Sequence, residues 1–551
     1  MRMRRFKIAI ISLIFFTFLA SFGPNDKYFE IAKNLDIFAT LFKEVNRYYV
    51  DEVDPTELVN IGINSMLSTL DPYTNYIPEE QIDDYRTMTT GEYGGIGAVI
   101  GRKNNKITVL MPNEGYAAEK AGVQIGDELL KIDGQEVKDL SISEISKLLK
   151  GNEGSPLEIT LKRMGNPESF TLNLTRERIH LNNVPYYGLV ADDIGFIQLT
   201  DFTQNASKEV KNALIELKKE GAKKIILDLR GNPGGLLSEA INIANIFLPR
   251  GSEVVSTRGK IQEWNKTHRA LNAPVDTEIP IAVLISKNSA SAAEIVSGVI
   301  QDYDRGVLVG HRSFGKGLVQ ATRPLSYNSK LKVTVAKYHI PSGRCIQAID
   351  YSHRDINGYA DKVPDSLRVA FKTKGGRTVY DGGGVDPDIP VDKENYAPIV
   401  WSLVSKGLIF DYATEFKLKH ESIPPAKEFK LSQEEFNSFV AWLSDKEYDY
   451  TTSVEKMLAE LIENAKAEKY YEDIKGQIDN LDAKISHNKE TDLQKFKGEI
   501  MEVLEREISS RYYLQTGIIE SSFDDDNELD AAIELLSDMD NYYSILSGED
   551  S

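Results

Sequence analysis

The sequence predicts a multidomain protein of the α+β class, and three observations carry that reading. The chain has 551 residues, well beyond the roughly 100–200 of an ordinary domain, so two to four units are expected. Its hydrophobic pattern changes character along the way. Apolar residues recur at three and four up to about residue 85; glycine-punctuated strand-like runs follow; strands then alternate with helices; a long, charged helical stretch comes last. Apolar residues make up 41% of the chain, with 21 Phe, 26 Tyr and 3 Trp, enough for packed cores and incompatible with wholesale disorder. The net charge of -19, from 84 acidic against 65 basic side chains, argues against nucleic acid as a partner, because phosphate binding needs a basic footprint.

The first element is MRMRRFK followed by the apolar run IAIISLIFFTFLASF, with Ala20, Ser21 and Gly23 ahead of Pro24. A basic start, an apolar centre and small residues at the end are the layout of a secretory signal, so residues 1–23 are assigned as a signal peptide and export to the periplasm or cell envelope is expected. The apolar run is short for a span of about 20 residues, which leaves cleavage favoured over retention as an inner-membrane anchor. The single cysteine, Cys345, excludes an intrachain disulfide in spite of export, so stability must come from packed cores.

Residues 24–90 form a helical lead-in, with FEIAKNLDIFATLFKEV and ELVNIGINSMLSTL as amphipathic stretches. Residues 91–165 read differently: YGGIGAVIGRKNNKITVLMP is a hairpin turning at Lys103 to Lys106, a short helix lies around Tyr116 to Lys120, and AGVQIGDELLKIDGQEV is two strands joined by Asp133-Gly134. The helical SISEISKLLKG and the strand LEITLKR complete the segment. This order resembles a PDZ domain, most clearly in GVQIGDELLKIDGQEV. The resemblance implies a groove that binds a chain terminus as an added strand, with the carboxylate taken by backbone N–H groups of a glycine loop. Gly95, Ile96, Gly97 and Ala98 match that loop by position; alone, those glycines would indicate only a tight turn.

Residues 166–395 alternate strands and helices, an α/β pattern. IGFIQLTDF, KKIILDLRG, IPIAVLIS and GVLVG are strands, and SKEVKNALIELKKEG, LLSEAINIANIFL and SASAAEIVSGVIQDY are helices. Two nucleotide motifs are set aside here. GHRSFGKG nearly spells a P-loop but has Gly317 at the magnesium-binding position and a strand, LVQATRPL, where a helix is needed; Gly95 and Gly97 lack the third glycine of a dinucleotide fingerprint. The seven histidines are scattered, with no HExxH pair, so a metal hydrolase is unsupported and no cofactor is expected.

The chemistry concentrates in SKNSASAAE, between a buried strand and a helix. A serine there meets unpaired helix N–H groups that favour the oxyanion of a tetrahedral intermediate, although Ser289 and Ser291 could equally be helix caps. The choice depends on a base. Lys316 follows past one strand, and in an extended SFGKGLVQA it would share a face with Leu318 and Gln320. As a base it must be neutral, which requires burial to lower a pKa normally near ~10.4.

SASAAEIVSGVIQDYDRGVLVGHRSFGKGLVQ is similar to the nucleophile-to-lysine segment of the C-terminal processing peptidases, or tail-specific proteases. LDPYTNYI, DLRGNPGGLL, VAKYHIPSGRCIQ and GGGVDPDIPV extend the likeness over roughly residues 30–395. The resemblance implies a crotonase-like α/β core and a serine peptidase acting near substrate C-termini. It assigns Ser291 as nucleophile, Lys316 as general base, Gln320 as the residue orienting the lysine and Glu294 as a supporting acid. The oxyanion hole falls to the Ala292 N–H and an amide of Gly234 or Gly235. Expected partners are proteins with apolar or unstructured C-termini.

Residues 350–381 are an insertion relative to the simplest relatives, open to reading as a flap or as a surface loop. Residues 396–551 are a charged helical region. After Arg511 there is no Lys or Arg, while eleven acids appear; this region could serve a homodimer, an adaptor or cover of the active site. The rival to a peptidase is a catalytically silent PDZ scaffold of the cell envelope.

Overall fold

The computed structural model describes residues 26–354, 358, 360–392, 395–485 and 489–548; the signal-like segment 1–23 lies outside them. The chain divides into two compact units, one ending at Tyr76 and one spanning Ile77 to Ser551. In the first, the helices Asp26–Tyr48 and Pro55–Ser68 are the amphipathic stretches of the lead-in. Asp54 caps the second by accepting from the N–H groups of Thr56 and Glu57, with Pro55 placed where a helix tolerates it.

The second unit is mixed helix and sheet and holds the segment that resembles a PDZ domain, the α/β core and the C-terminal helical region. The PDZ strands run in the order 98–103, 106–112, 128–132, 156–162, 170–175. Asn104 and Asn105, both at positive φ, close the first hairpin, and Asp133-Gly134 closes a later one; both are pairs that a tight hairpin turn favours. The helix Ile142–Leu149 is fixed by a capping box between Ser141 and Glu144 and buries Ile145 and Leu149 against Ile107, Leu129, Ile159 and Leu161.

The α/β core is built on a six-stranded sheet ordered 186–191, 194–198, 224–228, 281–285, 307–310, 389–390, in which only the first pair is antiparallel. Its inner strands carry uninterrupted apolar runs at 225–227, 281–285 and 307–309 because both faces are covered. On one face Ile225, Leu227 and Val283 meet Val210 and Leu214 of the helix Ala206–Lys219, Ile243 of Leu237–Phe247 and Val296 and Val299 of Ala292–Asp302. A second, antiparallel sheet carries 318–324 against 330–339, and 253–259 beside it.

The other face of the main sheet is covered by the end of the chain. Ile226, Ala282, Leu284, Val307 and Val309 pack on Ile519, Leu529, Ala532, Leu535, Leu536 and Tyr542, and the buried Tyr542 hydroxyl is 3.1 Å from the N–H of Ile281 and 3.2 Å from its carbonyl. The acidic end is therefore a wall of the α/β core. The rest of the C-terminal region has its own centre, around Leu403, Phe416, Phe436, Phe439, Leu504 and Ile508. It reaches the PDZ hairpin through an ion pair of Asp411 with Lys103. In the insertion, Arg377 pairs with Asp304 and Asp388, and Arg368 with Asp386. Those ion pairs fasten its described part to the core, and none of its described residues lines the cavity at Ser291.

Candidate active site

The strand Ile281–Ile285 delivers the chain to a short loop, and the helix Ala292–Asp302 leaves it. Within that loop the two serines have different surroundings. Ser289 is fully buried; its hydroxyl donates to the Leu229 carbonyl at 2.7 Å and accepts from the Ser286 N–H at 2.9 Å, so it is committed to holding the loop. Ser291 lies at the mouth of the helix with φ 55° and ψ -111°, a conformation that costs a non-glycine residue on the order of 1–3 kcal/mol and persists only where its surroundings impose it. It lines a cavity of about 620 Å³ together with Lys316, Gln320, Gly234, Gly235 and Tyr338.

Glu294 supplies much of that imposition. It is 0% exposed, and its carboxylate accepts from the Ser291 N–H (2.8 Å), the Lys316 N–H (2.8 Å), the Gly315 N–H (2.7 Å) and the Ser313 hydroxyl (2.5 Å). One side chain thus ties the serine loop to the lysine loop. The backbone of the lysine loop is held from every side. The Gly317 N–H donates to Gln347 Oε1 at 2.8 Å, the Gly315 carbonyl accepts from the Ala348 N–H, and the Gly317 carbonyl accepts from the Tyr338 N–H. The Tyr338 hydroxyl lies 2.5 Å from the Lys316 carbonyl and 3.2 Å from the Ser291 carbonyl, a second bridge between the two loops. A Cβ at Gly315 would lie 2.4 Å from Ala348 Cβ and one at Gly317 2.8 Å from the Gln347 nitrogen, which is why glycines flank the lysine.

Burial, opposed by those hydrogen bonds, pushes the Glu294 carboxyl up to about 7. The folded protein therefore keeps a proton there that the unfolded chain, with a pKa near 4.5, releases. This group's contribution to stability is present below about pH 4.5 and is lost as the pH rises through about 7. Glu294→Gln, which cannot titrate and has one acceptor oxygen for four donors, is expected to be destabilised relative to wild type, by a margin that shrinks between pH 5 and pH 8. Urea midpoints of both proteins across that range check it; a margin that grows with pH would contradict it.

The turn Asn232-Pro233-Gly234-Gly235 approaches from the other side. Asn232 is fully buried; its Nδ2 donates to the Leu199 carbonyl and its own carbonyl accepts from the Ala290 N–H. A Cβ on Gly234 would fall 2.8 Å from the Ala292 nitrogen and 2.9 Å from Ser291 Cβ, so only glycine lets the turn lie on the serine. The Gly234 N–H is already given to Asn232 Oδ1 at 2.8 Å. That leaves Gly235 as the glycine of the pair whose amide, like that of Ala292, has no partner among the described residues. Gln320 donates from Nε2 to Thr334 Oγ1 at 3.2 Å across the strand pair.

The PDZ loop lies apart from this cavity. Gly97 has φ 71°, and the Ile96 and Gly97 carbonyls accept from Ala118 and Asn113. The following strand Ala98–Lys103 is the edge of its sheet, with the helix Ile142–Leu149 against it. Gly94 packs so closely that a Cβ would sit 2.0 Å from the Gly151 carbonyl oxygen. The loop is joined to the cavity by a short path: Tyr85, Thr87, Met88 and Thr89 of the helix Ile82–Thr90 line the cavity, and the strand Glu92–Gly95 that follows pairs with Glu177–His180.

Residues 193–355 match the family description "Peptidase family S41", 108–163 a PDZ domain, and 399–536 "Probable PDZ-protease, C-terminal helical domain". A carboxy-terminal-processing protease of Bartonella bacilliformis is 38% identical over 321 residues, 58% of this chain and 73% of that protein. The chain belongs to the carboxy-terminal-processing protease family. A probable CtpA-like serine protease of Staphylococcus aureus is 32% identical over 75% of this chain and 81% of its own length. Among solved structures, a photosystem II D1 C-terminal processing protease is 28% identical over 64% of this chain and 92% of that one, at a TM-score of 0.35. This member of the carboxy-terminal-processing proteases is thus a serine peptidase with a PDZ domain. Sequence reasoning had missed Tyr338, Asn232 and Gln347. The first stands inside VAKYHIPSGRCIQ and the second inside DLRGNPGGLL, so both motifs marked the neighbourhood without marking the function of the residue.

Proposed function

We propose that the protein is an exported serine endopeptidase that cleaves proteins near their C-termini through a Ser291–Lys316 dyad, with the PDZ loop Gly95–Ala98 taking the substrate's terminal carboxylate. The observation that carries this reading is the joint binding of the Ser291 and Lys316 backbones by the buried Glu294. Ser291 attacks the scissile carbonyl, Lys316 accepts the hydroxyl proton and returns it to the leaving amine, and water hydrolyses the acyl-enzyme by the same route. The Ala292 and Gly235 N–H groups are the donors for the oxyanion. Gln320, whose Nε2 donates to Thr334 Oγ1, orients the lysine. A catalytically silent scaffold would leave the strained Ser291 and the fully occupied Glu294 without a purpose.

What supports recruitment by the PDZ is its geometry: an open edge strand beside a helix, preceded by a glycine loop, suits an extended peptide with an apolar end. The helix Ile82–Thr90 gives this capture a route to the cavity, because displacement of the loop is passed through Gly91 to residues that wall the site; access to the cavity is gated in this way. Export rests on the basic–apolar–small order of residues 1–23. An unfolded protein substrate with an apolar tail is expected to be cleaved about 10-fold faster with a free carboxylate than with an amidated one, measured as initial rates at limiting substrate; equal rates would remove the PDZ from the mechanism.

A further inference from the structure

The cavity at Ser291 holds a charge that the chemistry above leaves unused. Lys332, on the strand Lys330–His339, lines the same cavity and faces Thr322 across the strand pair. Thr322 is 2.5 Å from the Tyr85 hydroxyl, which places Lys332 beside the wall formed by the helix that leads to the PDZ. Its side chain is half-buried, and none of the described residues gives its ammonium a hydrogen bond or an ion pair. Burial lowers its pKa with no carboxylate acting in the other direction. The other charged residues lining the cavity are Asp201 and Lys316; Asp201 lies beside Phe202, which bridges to Gly235, and is not paired with Lys332. A lysine on an open surface meets water, but a half-buried ammonium without a counter-ion is held at a cost unless an anion enters.

We propose that Lys332 binds the α-carboxylate of the substrate inside the catalytic cavity, at a site separate from the PDZ loop, and thereby sets how far from the terminus the chain is cut. The inference rests on the peptidase reading above. Lys332 and Tyr338 are separated by six residues of one strand, roughly 20 Å when extended, and the Tyr338 hydroxyl touches the Ser291 carbonyl. With both long side chains reaching into one cavity, an extended substrate with its carboxylate at Lys332 presents a peptide bond roughly three to six residues away to Ser291. The two carboxylate sites act in turn: the PDZ loop recruits a long chain, and Lys332 registers its last residues for the cut.

The test compares wild type, Lys332→Gln and Lys332→Arg on paired short peptides of one sequence, ending in a free acid or an amide, with kcat, KM and product masses measured for each. Wild type is expected to favour the acid by about 10- to 100-fold in kcat/KM, carried by KM, as a charge-assisted contact predicts. Lys332→Gln is expected to lower that ratio about 10-fold, to the preference that the PDZ loop alone gives, and to scatter the cut positions, whereas Lys332→Arg keeps both. Any PDZ contribution is the same in all three proteins, so it cannot imitate the change. An unchanged ratio in Lys332→Gln, or no acid preference in wild type, overturns the assignment while leaving the peptidase reading standing. Failure of wild type to cut either peptide overturns that reading and this site with it.

Discussion

Ser291→Ala and Lys316→Ala are each expected to lower kcat for an unfolded protein substrate by about 10⁴- to 10⁶-fold, the scale on which removal of a nucleophile or its base acts in serine hydrolases. Both variants are expected to fold, and the structure gives the reason. The loops are held through backbone groups: the N–H groups of Ser291, Gly315 and Lys316 go to Glu294, the N–H of Gly317 to Gln347 and the carbonyls of Ser291 and Lys316 to Tyr338. Truncating either side chain leaves every one of those bonds in place. Because the two residues act as one unit, the double variant should be little worse than either single one. Circular dichroism and single-turnover rates on the same preparations separate chemistry from folding, and substantial residual activity in either variant would dismiss the dyad.

Removal of residues 521–551 is expected to abolish the folded peptidase core. The deletion takes away Leu529, Ala532, Leu535, Leu536 and Tyr542, and exposes Ile226, Ala282, Leu284, Val307 and Val309 of the main sheet. Each large-to-small change at such a site costs about 2–5 kcal/mol, so losing the whole wall exceeds the roughly 5–15 kcal/mol that holds a domain folded. It also strips Arg230 of Asp526 and Glu528, whose carboxylates lie 2.7 Å from its guanidinium, and leaves it with Asp228 alone. Arg230 is separated by Gly231 alone from the turn that lies against Ser291, so the acidic tail supports the site as well as the sheet. Leu536→Ala gives the milder form of the same result: about 2–5 kcal/mol of destabilisation in denaturant titration with the fold retained. A truncated protein that unfolds cooperatively at the wild-type midpoint would contradict this account.

The contrast between those two regions shows what the sequence could disclose. The PDZ and core elements announced themselves because each obeys a local rule: Asp133-Gly134 at a hairpin, Ser141 three residues before Glu144 at a helix start, uninterrupted apolar runs where a strand is covered on both faces. Ser291 and Lys316 were legible as types in a familiar order. The choice between Ser289 and Ser291 was not legible from spacing, since it turns on which hydroxyl is consumed by Leu229 and Ser286. Glu294 reads in sequence as an ordinary first-turn acid, and its bonds to Gly315 and Lys316 exist only after the chain returns past a strand. The tail disclosed least: Leu529, Leu535 and Leu536 do lie on one helical face, but the sequence left a homodimer, an adaptor or a cover of the active site open for this charged region, and nothing local says that the face docks on strands more than two hundred residues earlier.

The measurement that bears most directly on the central claim is mass spectrometry of the products formed from one unfolded, apolar-tailed protein by wild type and by Ser291→Ala. The account predicts short C-terminal fragments and a matching truncated substrate with wild type, and intact substrate alone with Ser291→Ala. The same fragments from both proteins would show that Ser291 is not the nucleophile.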